Sequence, residues 1–166
     1  MDHYFAVQES GTTFDTGQFS NLQMVSLIQD IKETGKFQLN YGTGGTIVAS
    51  PAIEGETLYV GACDHNFYAV GLDGKEKWRF GTKGVIFSSA TVKDGRVYFG
   101  CNDGILYCLS LEGKEQWKFP TNGLIAGCPA IVNGTIYIGS GDKNFYALSL
   151  DGKEKWRFRT NEKVFM

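Results

Sequence analysis

Aspartate is the residue with binding chemistry that recurs most regularly in this sequence. Asp64, Asp103 and Asp142 stand 39 residues apart, each in a short polar segment between two apolar ones. Carboxylates gathered on one surface could bind a cation or a basic partner. Aspartate is equally an ordinary turn residue that hydrogen-bonds its own backbone, and this structural interpretation is the stronger one. The predicted partner-binding surface consists of the turns that hold Asp64, His65, Asp103, Asp142 and Lys143.

Histidine and cysteine form no recognisable metal motif. His3 and His65 have no counterpart in the neighbouring repeats and no ligand cluster beside them, and no Cys-x-x-Cys spacing occurs. No serine or cysteine stands with a histidine in a nucleophile–base motif. We therefore predict no metal, no cofactor and no enzymatic activity.

The four cysteines are interpreted as free thiols. Cys101, Cys108 and Cys128 fall where related segments carry alanine or serine, which predicts small, buried and slowly reacting side chains. Cys63 occupies a turn position and is expected to react first.

Composition narrows the class of partner. The chain has 16 basic and 18 acidic residues, a formal net charge of −2, so a nucleic-acid partner is not predicted. No run of 18 apolar residues occurs, so no membrane span is predicted. The N-terminus lacks a signal-peptide pattern, and together with free thiols this favours a cytoplasmic location without establishing it.

A longer repeat positions these side chains. The segment Gly-Lys-Glu-x-Trp begins at Gly74, Gly113 and Gly152, and one tryptophan per 39-residue unit is typical of a β-propeller. Within residues 46–83 the apolar pattern predicts strands at 47–53, 57–61, 67–70 and 75–80, with Asp73-Gly74 as a type I′ hairpin. The first three strands are apolar on both faces and the fourth alternates, as expected for a blade whose outer strand meets water. We predict an all-β propeller of four-stranded antiparallel blades.

The repeat also predicts the domain organisation. Residues 46–83, 85–122 and 124–161 are expected to be full blades, and residues 1–45 a partial, divergent blade. Residues 162–166 are expected to begin a closing strand. Together they form a single propeller domain over residues 1–166, with about four blades per chain.

The repeats resemble the pyrroloquinoline-quinone-like, or tryptophan-docking, propeller family. The residues that match its Ala, Gly and Trp positions are Ala69, Gly74 and Trp78, then Cys108, Gly113 and Trp117, then Ala147, Gly152 and Trp156. The threonine that usually precedes the glycine occurs only at Thr34. The resemblance implies that the tryptophans dock between blades.

Two kinds of function are known in such a family. The resemblance implies either a non-catalytic scaffold of the kind used in bacterial outer-membrane assembly or a quinone-dependent dehydrogenase. A dehydrogenase would need a calcium site, an aspartate base and adjacent cysteines, and this sequence has no Cys-Cys pair. We therefore predict a protein–protein interaction module of unknown partner; a quinone- or sugar-binding propeller, or a fragment of a quinoprotein-like enzyme, is the alternative.

The ends of the repeat pattern suggest how the ring closes. The first blade lacks its innermost strand, and Lys163-Val164-Phe165 stands where such a strand would begin. An open arc would expose apolar blade faces, so the ring is expected to close on itself with four blades or with a second copy to give eight. We predict a homodimer, because the C-terminal strand of each copy would then complete the first blade of the other copy through one repeated interface.

Overall fold

A computed structural model describes residues 23–24 and 41–165 of this chain. The strands are β1 (Gln23–Met24), β2 (Tyr41–Gly42), β3 (Ala52–Glu54), β4 (Thr57–Gly61), β5 (Asn66–Gly71), β6 (Glu76–Gly81), β7 (Thr91–Lys93), β8 (Arg96–Gly100), β9 (Ile105–Ser110), β10 (Glu115–Pro120), β11 (Ala130–Val132), β12 (Thr135–Gly139), β13 (Asn144–Ser149) and β14 (Glu154–Arg159). No helix among the described residues is long and apolar enough to cross a membrane.

Twelve of these strands form three antiparallel meanders. Blade one comprises β3–β6, blade two β7–β10 and blade three β11–β14, and within each blade every strand pairs with its neighbour in sequence. The predicted all-β propeller built from four-stranded blades is confirmed.

A short additional pair precedes these blades. β1 and β2 are antiparallel, and Met24 pairs with Tyr41 as Phe67 pairs with Phe80 in blade one. The pairing therefore follows the register of the last two strands of a blade. The rest of the predicted partial blade, residues 1–22 and 25–40, lies outside the described residues, as does Met166.

The first strand of blade one is shorter than the sequence predicts. We expected residues 47–53, whereas β3 begins at Ala52. Pro51 has no amide hydrogen, and the Ser50 N–H donates to Ser89 Oγ of the next blade at 3.0 Å, so neither residue can extend the ladder towards β4. The corresponding apolar segments of the next two blades, residues 85–87 and 125–126, likewise precede β7 and β11 without belonging to them.

We call the residues that immediately precede the first strand of a blade its leading segment. The leading segments pack beside the preceding blade. Ile86 lies against Gly61, where an added Cβ would come within 2.2 Å of its Cγ2, and Ile125 lies against Gly100 in the same way at 2.3 Å. Val164 lies against Gly139, although the described residues 162–165 form no strand. The apolar character of Ile86 and Ile125 therefore reflects burial between blades rather than strand pairing.

The Asp73-Gly74 turn also differs from its prediction. Only Gly74 has a positive φ, 78°, and its N–H donates to Gly71 O at 2.8 Å, so the pair does not form a type I′ turn. The register between β5 and β6 shifts after Ala69, which is a β-bulge. Asp94-Gly95 and Asn133-Gly134 are the pairs in which both residues have positive φ.

The core lies between blades rather than within one. We call the front face of a blade the side that carries its tryptophan; in blade one it contains Tyr59, Phe67, Ala69 and Trp78. This face packs on the side of blade two that carries Val97, Phe99, Tyr107 and Leu109. Phe67 stacks on Phe99 with ring centroids 4.0 Å apart. Blades two and three repeat this contact around Tyr98, Leu106, Ile138 and Tyr146.

Candidate functional site

Each recurring aspartate links segments of its blade through hydrogen bonds, and we call this arrangement a clasp. Asp64 accepts the Tyr68 hydroxyl at 2.5 Å and the Gly44 N–H at 2.8 Å through Oδ2, while Oδ1 accepts the Asn66 N–H at 3.0 Å. The carboxylate thus holds its own turn, the third strand of the blade and the segment that leads into the blade. Most of its acceptor capacity is already used.

The same clasp occurs in the other two blades. Asp103 accepts the Tyr107 hydroxyl at 2.8 Å and the Lys83 and Ile105 N–H groups at 3.1 Å each. Asp142 accepts the Tyr146 hydroxyl at 2.6 Å and the Asn122 and Asn144 N–H groups at 3.1 and 3.0 Å. The turn interpretation of these aspartates therefore has a defined geometry, in which the carboxylate oxygens accept hydrogen bonds from within the protein.

The environment of the clasps shifts the pKa values of their tyrosines and of Asp142. Burial, followed by the hydrogen bond to the aspartate, raises the pKa of Tyr68 and of Tyr146 to about 12, and the same causes raise the pKa of Tyr107. Burial also raises the pKa of Asp142, but its hydrogen bonds from Tyr146, Asn122 and Asn144 outweigh this and hold it below its ordinary value. Tyr146 therefore stays protonated and donates to an ionised carboxylate at neutral pH.

The residue after each aspartate adopts a left-handed conformation. φ is 69° at His65, 85° at Gly104 and 68° at Lys143. Their carbonyl oxygens accept the hydroxyls of Thr82, Thr121 and Thr160, the first threonine after each blade. The His65 side chain is exposed, and Lys143 Nζ donates to Asn161 O at 3.0 Å. These turns lie at the same end of their blades, but only His65 offers a well-exposed polar side chain among the five predicted partner-binding residues.

The tryptophans of the first two blades dock on the blade that follows. Trp78 Nε1 donates to Leu111 O at 2.8 Å, and its ring covers Gly113, where an added Cβ would lie 2.6 Å from Cδ2. Trp117 Nε1 donates to Leu150 O at 3.0 Å and covers Gly152 at the same 2.6 Å. Both glycines have φ close to 80°. The site requires glycine twice over, because a side chain would strain the backbone and collide with the indole.

A small residue lies opposite each tryptophan on the neighbouring strand. Ala69 pairs with Trp78, Cys108 with Trp117 and Ala147 with Trp156. All three small side chains are fully buried. Their size leaves room for the indole to lie flat on the sheet.

Trp156 occupies the same repeat position in a different environment. Its side chain is 47% exposed and Phe158 beside it is 64% exposed, whereas Trp78, Phe80, Trp117 and Phe119 are half-buried. Tyr137, Phe145 and Trp156 contact one another on this front face of blade three. Sequence reasoning could not separate Trp156 from Trp78, because what differs is the neighbouring sheet and not the repeat position.

The cysteine expectations hold only in part. Cys101 and Cys108 are buried, but Cys128 is exposed and Cys63 is half-buried. The predicted burial of Cys128 is wrong, because this residue lies in the segment before β11 and its side chain is exposed. Cys128 contacts the first strand of the preceding blade, where Thr91 Oγ1 lies 3.4 Å from its Sγ.

We expect thiol labelling to follow this corrected order. Cys128 should react first with a thiol reagent, because access limits the reaction in a folded protein and its side chain is the exposed one. Burial raises the pKa of Cys63, and it raises the pKa of Cys108 to about 11, which lowers their thiolate fractions. Timed alkylation followed by peptide mapping tests the order, with Cys128→Ser as the control. Labelling of Cys108 before Cys128 would contradict it.

Comparison with known proteins gives the family-level similarity. Residues 68–165 match the model of the family described as outer membrane protein assembly factor BamB. No curated protein matches the sequence significantly.

Solved structures match the fold. BamB from Moraxella catarrhalis aligns with a TM-score of 0.63 at 21% identity, over 74% of this chain and 40% of that one. A quinohemoprotein alcohol dehydrogenase from Pseudomonas putida HK5 aligns with a TM-score of 0.62 at 26% identity, over 67% and 20%. The computationally designed Ika4 protein aligns with a TM-score of 0.67 at 18% identity, over 75% and 79%. The chain therefore spans less than half the length of the two natural proteins.

Proposed function

Because the chain belongs to the family described as outer membrane protein assembly factor BamB, we propose that it acts as a non-catalytic β-propeller scaffold that binds another protein. The observation that carries this proposal is the exposed front face of blade three. Trp156 and Phe158 lie there at 47% and 64% exposure, and the equivalent faces of blades one and two are covered by the blade that follows each of them. Exposed aromatic residues on a preformed apolar face are typical of protein-binding surfaces.

The aspartate turns support binding through surface contact rather than through chemistry. Asp64, Asp103 and Asp142 are the recurring carboxylates that could have held a cation or served as a base. Each already accepts one tyrosine hydroxyl and two backbone N–H groups. A carboxylate that coordinated a metal would have to release these donors, and the buried tyrosine would then lose its partner.

The turn end of the blades remains a proposed secondary contact area. His65 is exposed there with its backbone in the left-handed region, where Gly104 stands in blade two. A left-handed backbone costs a residue other than glycine about 1–2 kcal/mol, so a side chain kept at such a position is a candidate for contact with a partner. Lys143 occupies the same position in blade three.

A quinone-binding propeller is the second candidate function, and the likeness to a quinohemoprotein alcohol dehydrogenase at 26% identity favours testing it. We expect pyrroloquinoline quinone with Ca²⁺ to leave the thermal unfolding midpoint of this protein within about 1 °C of its value without ligand. A ligand at 100 times its Kd would stabilise the folded state by about 2.7 kcal/mol and shift the midpoint by several degrees.

The thermal-shift experiment includes two controls. Ca²⁺ alone separates ion effects from those of the quinone, and a quinone-dependent dehydrogenase run in parallel shows that the quinone is active. A reproducible shift of several degrees that depends on quinone concentration would overturn the scaffold proposal in favour of a cofactor-binding role.

A further inference from the structure

We propose that Asn133 is a site of covalent modification, at which the side-chain amide is lost spontaneously and aspartate and isoaspartate are formed. The residue lies in the two-residue loop between β11 and β12, where φ is 47° at Asn133 and 69° at Gly134. The inference goes beyond the proposed function, because it concerns this loop and not the front face of blade three.

The reaction needs only water as a co-reactant. The main-chain nitrogen of Gly134 attacks Cγ of Asn133, so an N–Cγ bond forms, the Cγ–Nδ2 bond breaks, and ammonia leaves with the proton that the attacking nitrogen gives up. The product is a five-membered succinimide ring. Water then opens the ring: cleavage of the N–Cγ bond gives aspartate, and cleavage of the bond from the same nitrogen to the main-chain carbonyl carbon gives isoaspartate. Glycine favours this chemistry, because it has no side chain to restrict the main chain at the attacking nitrogen.

The loop leaves both reacting groups accessible. Asn133 and Gly134 are exposed, and within the described part of the chain neither the Asn133 side chain nor the Gly134 N–H forms a hydrogen bond. A Cβ added at Gly134 would lie more than 4 Å from every described residue except its two chain neighbours. The main chain can therefore rotate to bring the nitrogen to Cγ. Only the end of a hairpin paired over three residues, from Ala130 to Val132, has to open for this rotation.

The second Asn-Gly pair of the sequence, Asn122-Gly123, has a different environment. The Asn122 N–H donates to Asp142 Oδ2 at 3.1 Å. Gly123 packs on the aspartate turn of blade three, where an added Cβ would lie 2.2 Å from the main-chain nitrogen of Asp142. Gly123 O accepts the hydroxyls of Thr121 at 2.7 Å and of Ser140 at 3.1 Å. The main chain of this pair cannot rotate without breaking these contacts, so the structure protects one Asn-Gly pair and leaves the other open.

The two products differ in how well they suit the loop. Asp94-Gly95 occupies the same repeat positions in blade two, with φ of 51° and 73°, so an aspartate is already accommodated in the equivalent hairpin. Isoaspartate instead adds a carbon atom to the main chain before Gly134. Loop length and turn type together set the register of a hairpin, so this longer loop should loosen the pairing of β11 with β12.

The test follows both asparagines in one experiment. The folded chain is held at physiological temperature and mildly alkaline pH, and peptide mapping by mass spectrometry, with chromatographic separation of the aspartate and isoaspartate peptides, measures each site over time. Asn133 should be lost at least about tenfold faster than Asn122, because the Asn122 pair must first open. In urea the contacts of both pairs are removed, and the two asparagines should react at similar rates.

Two variants make the result specific. Asn122→Asp is the matched control and should leave the rate at Asn133 unchanged. Freshly prepared Asn133→Asp reproduces the loop composition of blade two, so its β11 and β12 amides should exchange hydrogen as slowly as those of fresh wild type. Aged wild type enriched in isoaspartate should exchange faster at the same amides. Equal exchange in the aged wild type and in Asn133→Asp would contradict the expected effect of isoaspartate on the hairpin.

The outcomes that would overturn the modification site are separate from those that bear on the scaffold function. Equal loss of Asn133 and Asn122 in the folded protein would show that the fold does not distinguish the two pairs. An Asn133 that stays intact in the folded protein while it reacts in urea would show that the loop is protected as well. Either result overturns the inference and leaves partner binding by blade three unaffected, whereas a quinone-dependent thermal shift would overturn the scaffold function and leave this site unaffected.

Discussion

Replacing Trp78 with alanine is expected to lower the free energy of unfolding by about 3–5 kcal/mol, the usual cost of truncating a large aromatic side chain in a core. The change removes the ring that packs on Gly113 and the indole N–H that donates to Leu111 O at 2.8 Å. It also removes the ring contacts with Tyr59 and Phe67. Such a loss is a large share of the total stability of a small domain.

Urea unfolding followed by circular dichroism measures this effect, and Trp156→Ala is its matched control. Both tryptophans stand at the same repeat position opposite an alanine, but only Trp78 is covered by a following blade within the described residues. At a concentration low enough to keep the chain monomeric, Trp156→Ala should cost less than about 1 kcal/mol. Equal losses for the two variants would show that docking between blades does not stabilise the fold.

Replacing Asp103 with alanine is the second change for which we expect a large loss, about 3 kcal/mol. The carboxylate accepts the Tyr107 hydroxyl and the Lys83 and Ile105 N–H groups, so its removal leaves three donors without an acceptor. Hydrogen bonds to charged groups contribute about 1.5–3 kcal/mol each, and water can replace part of that at a half-buried turn. The loss should therefore exceed that of a single hydrogen bond.

Two further variants make the Asp103 result specific. Tyr107→Phe removes one donor and keeps the ring, so it should cost only about 1 kcal/mol. Lys83→Ala keeps the main-chain N–H that Asp103 accepts, and it should change stability by less than about 0.5 kcal/mol. If Asp103→Ala is as stable as Lys83→Ala in urea unfolding, the clasp is not structural and the aspartate turns regain their interest as a binding surface.

Several features of the fold could be predicted because they depend on local pattern. Alternation in the outer strands and the glycine–tryptophan period gave the four-stranded blades, since a period near 40 residues leaves room for one such sheet per unit. The aspartate turns were recognisable for a similar reason. An Asx turn is made within a few residues, as in the 3.0 Å bond from the Asn66 N–H to Asp64 Oδ1.

The errors arose where burial and strand pairing produce the same sequence signal. Ile86 and Ile125 are apolar because they lie against glycines of the preceding blade, and this made the first strands look longer than they are. Cys128 occupies the repeat position of Ser50 and Ser89, and small size alone does not show whether the side chain is buried. Asp73-Gly74 matches the composition of a type I′ turn, but the bulge after Ala69 changes the loop that joins β5 to β6.

The sequence by itself determined the repeating unit, its strand order and the residues that dock, because each follows from contacts that every unit makes in the same way. Only the tertiary structure decided which copies of those residues are covered by a neighbouring blade. Trp78 and Trp156 are identical in type, spacing and local register, yet one ring is covered by a blade and the other is 47% exposed. Exposure depends on what lies against a face, and a repeat pattern specifies the face without specifying its neighbour.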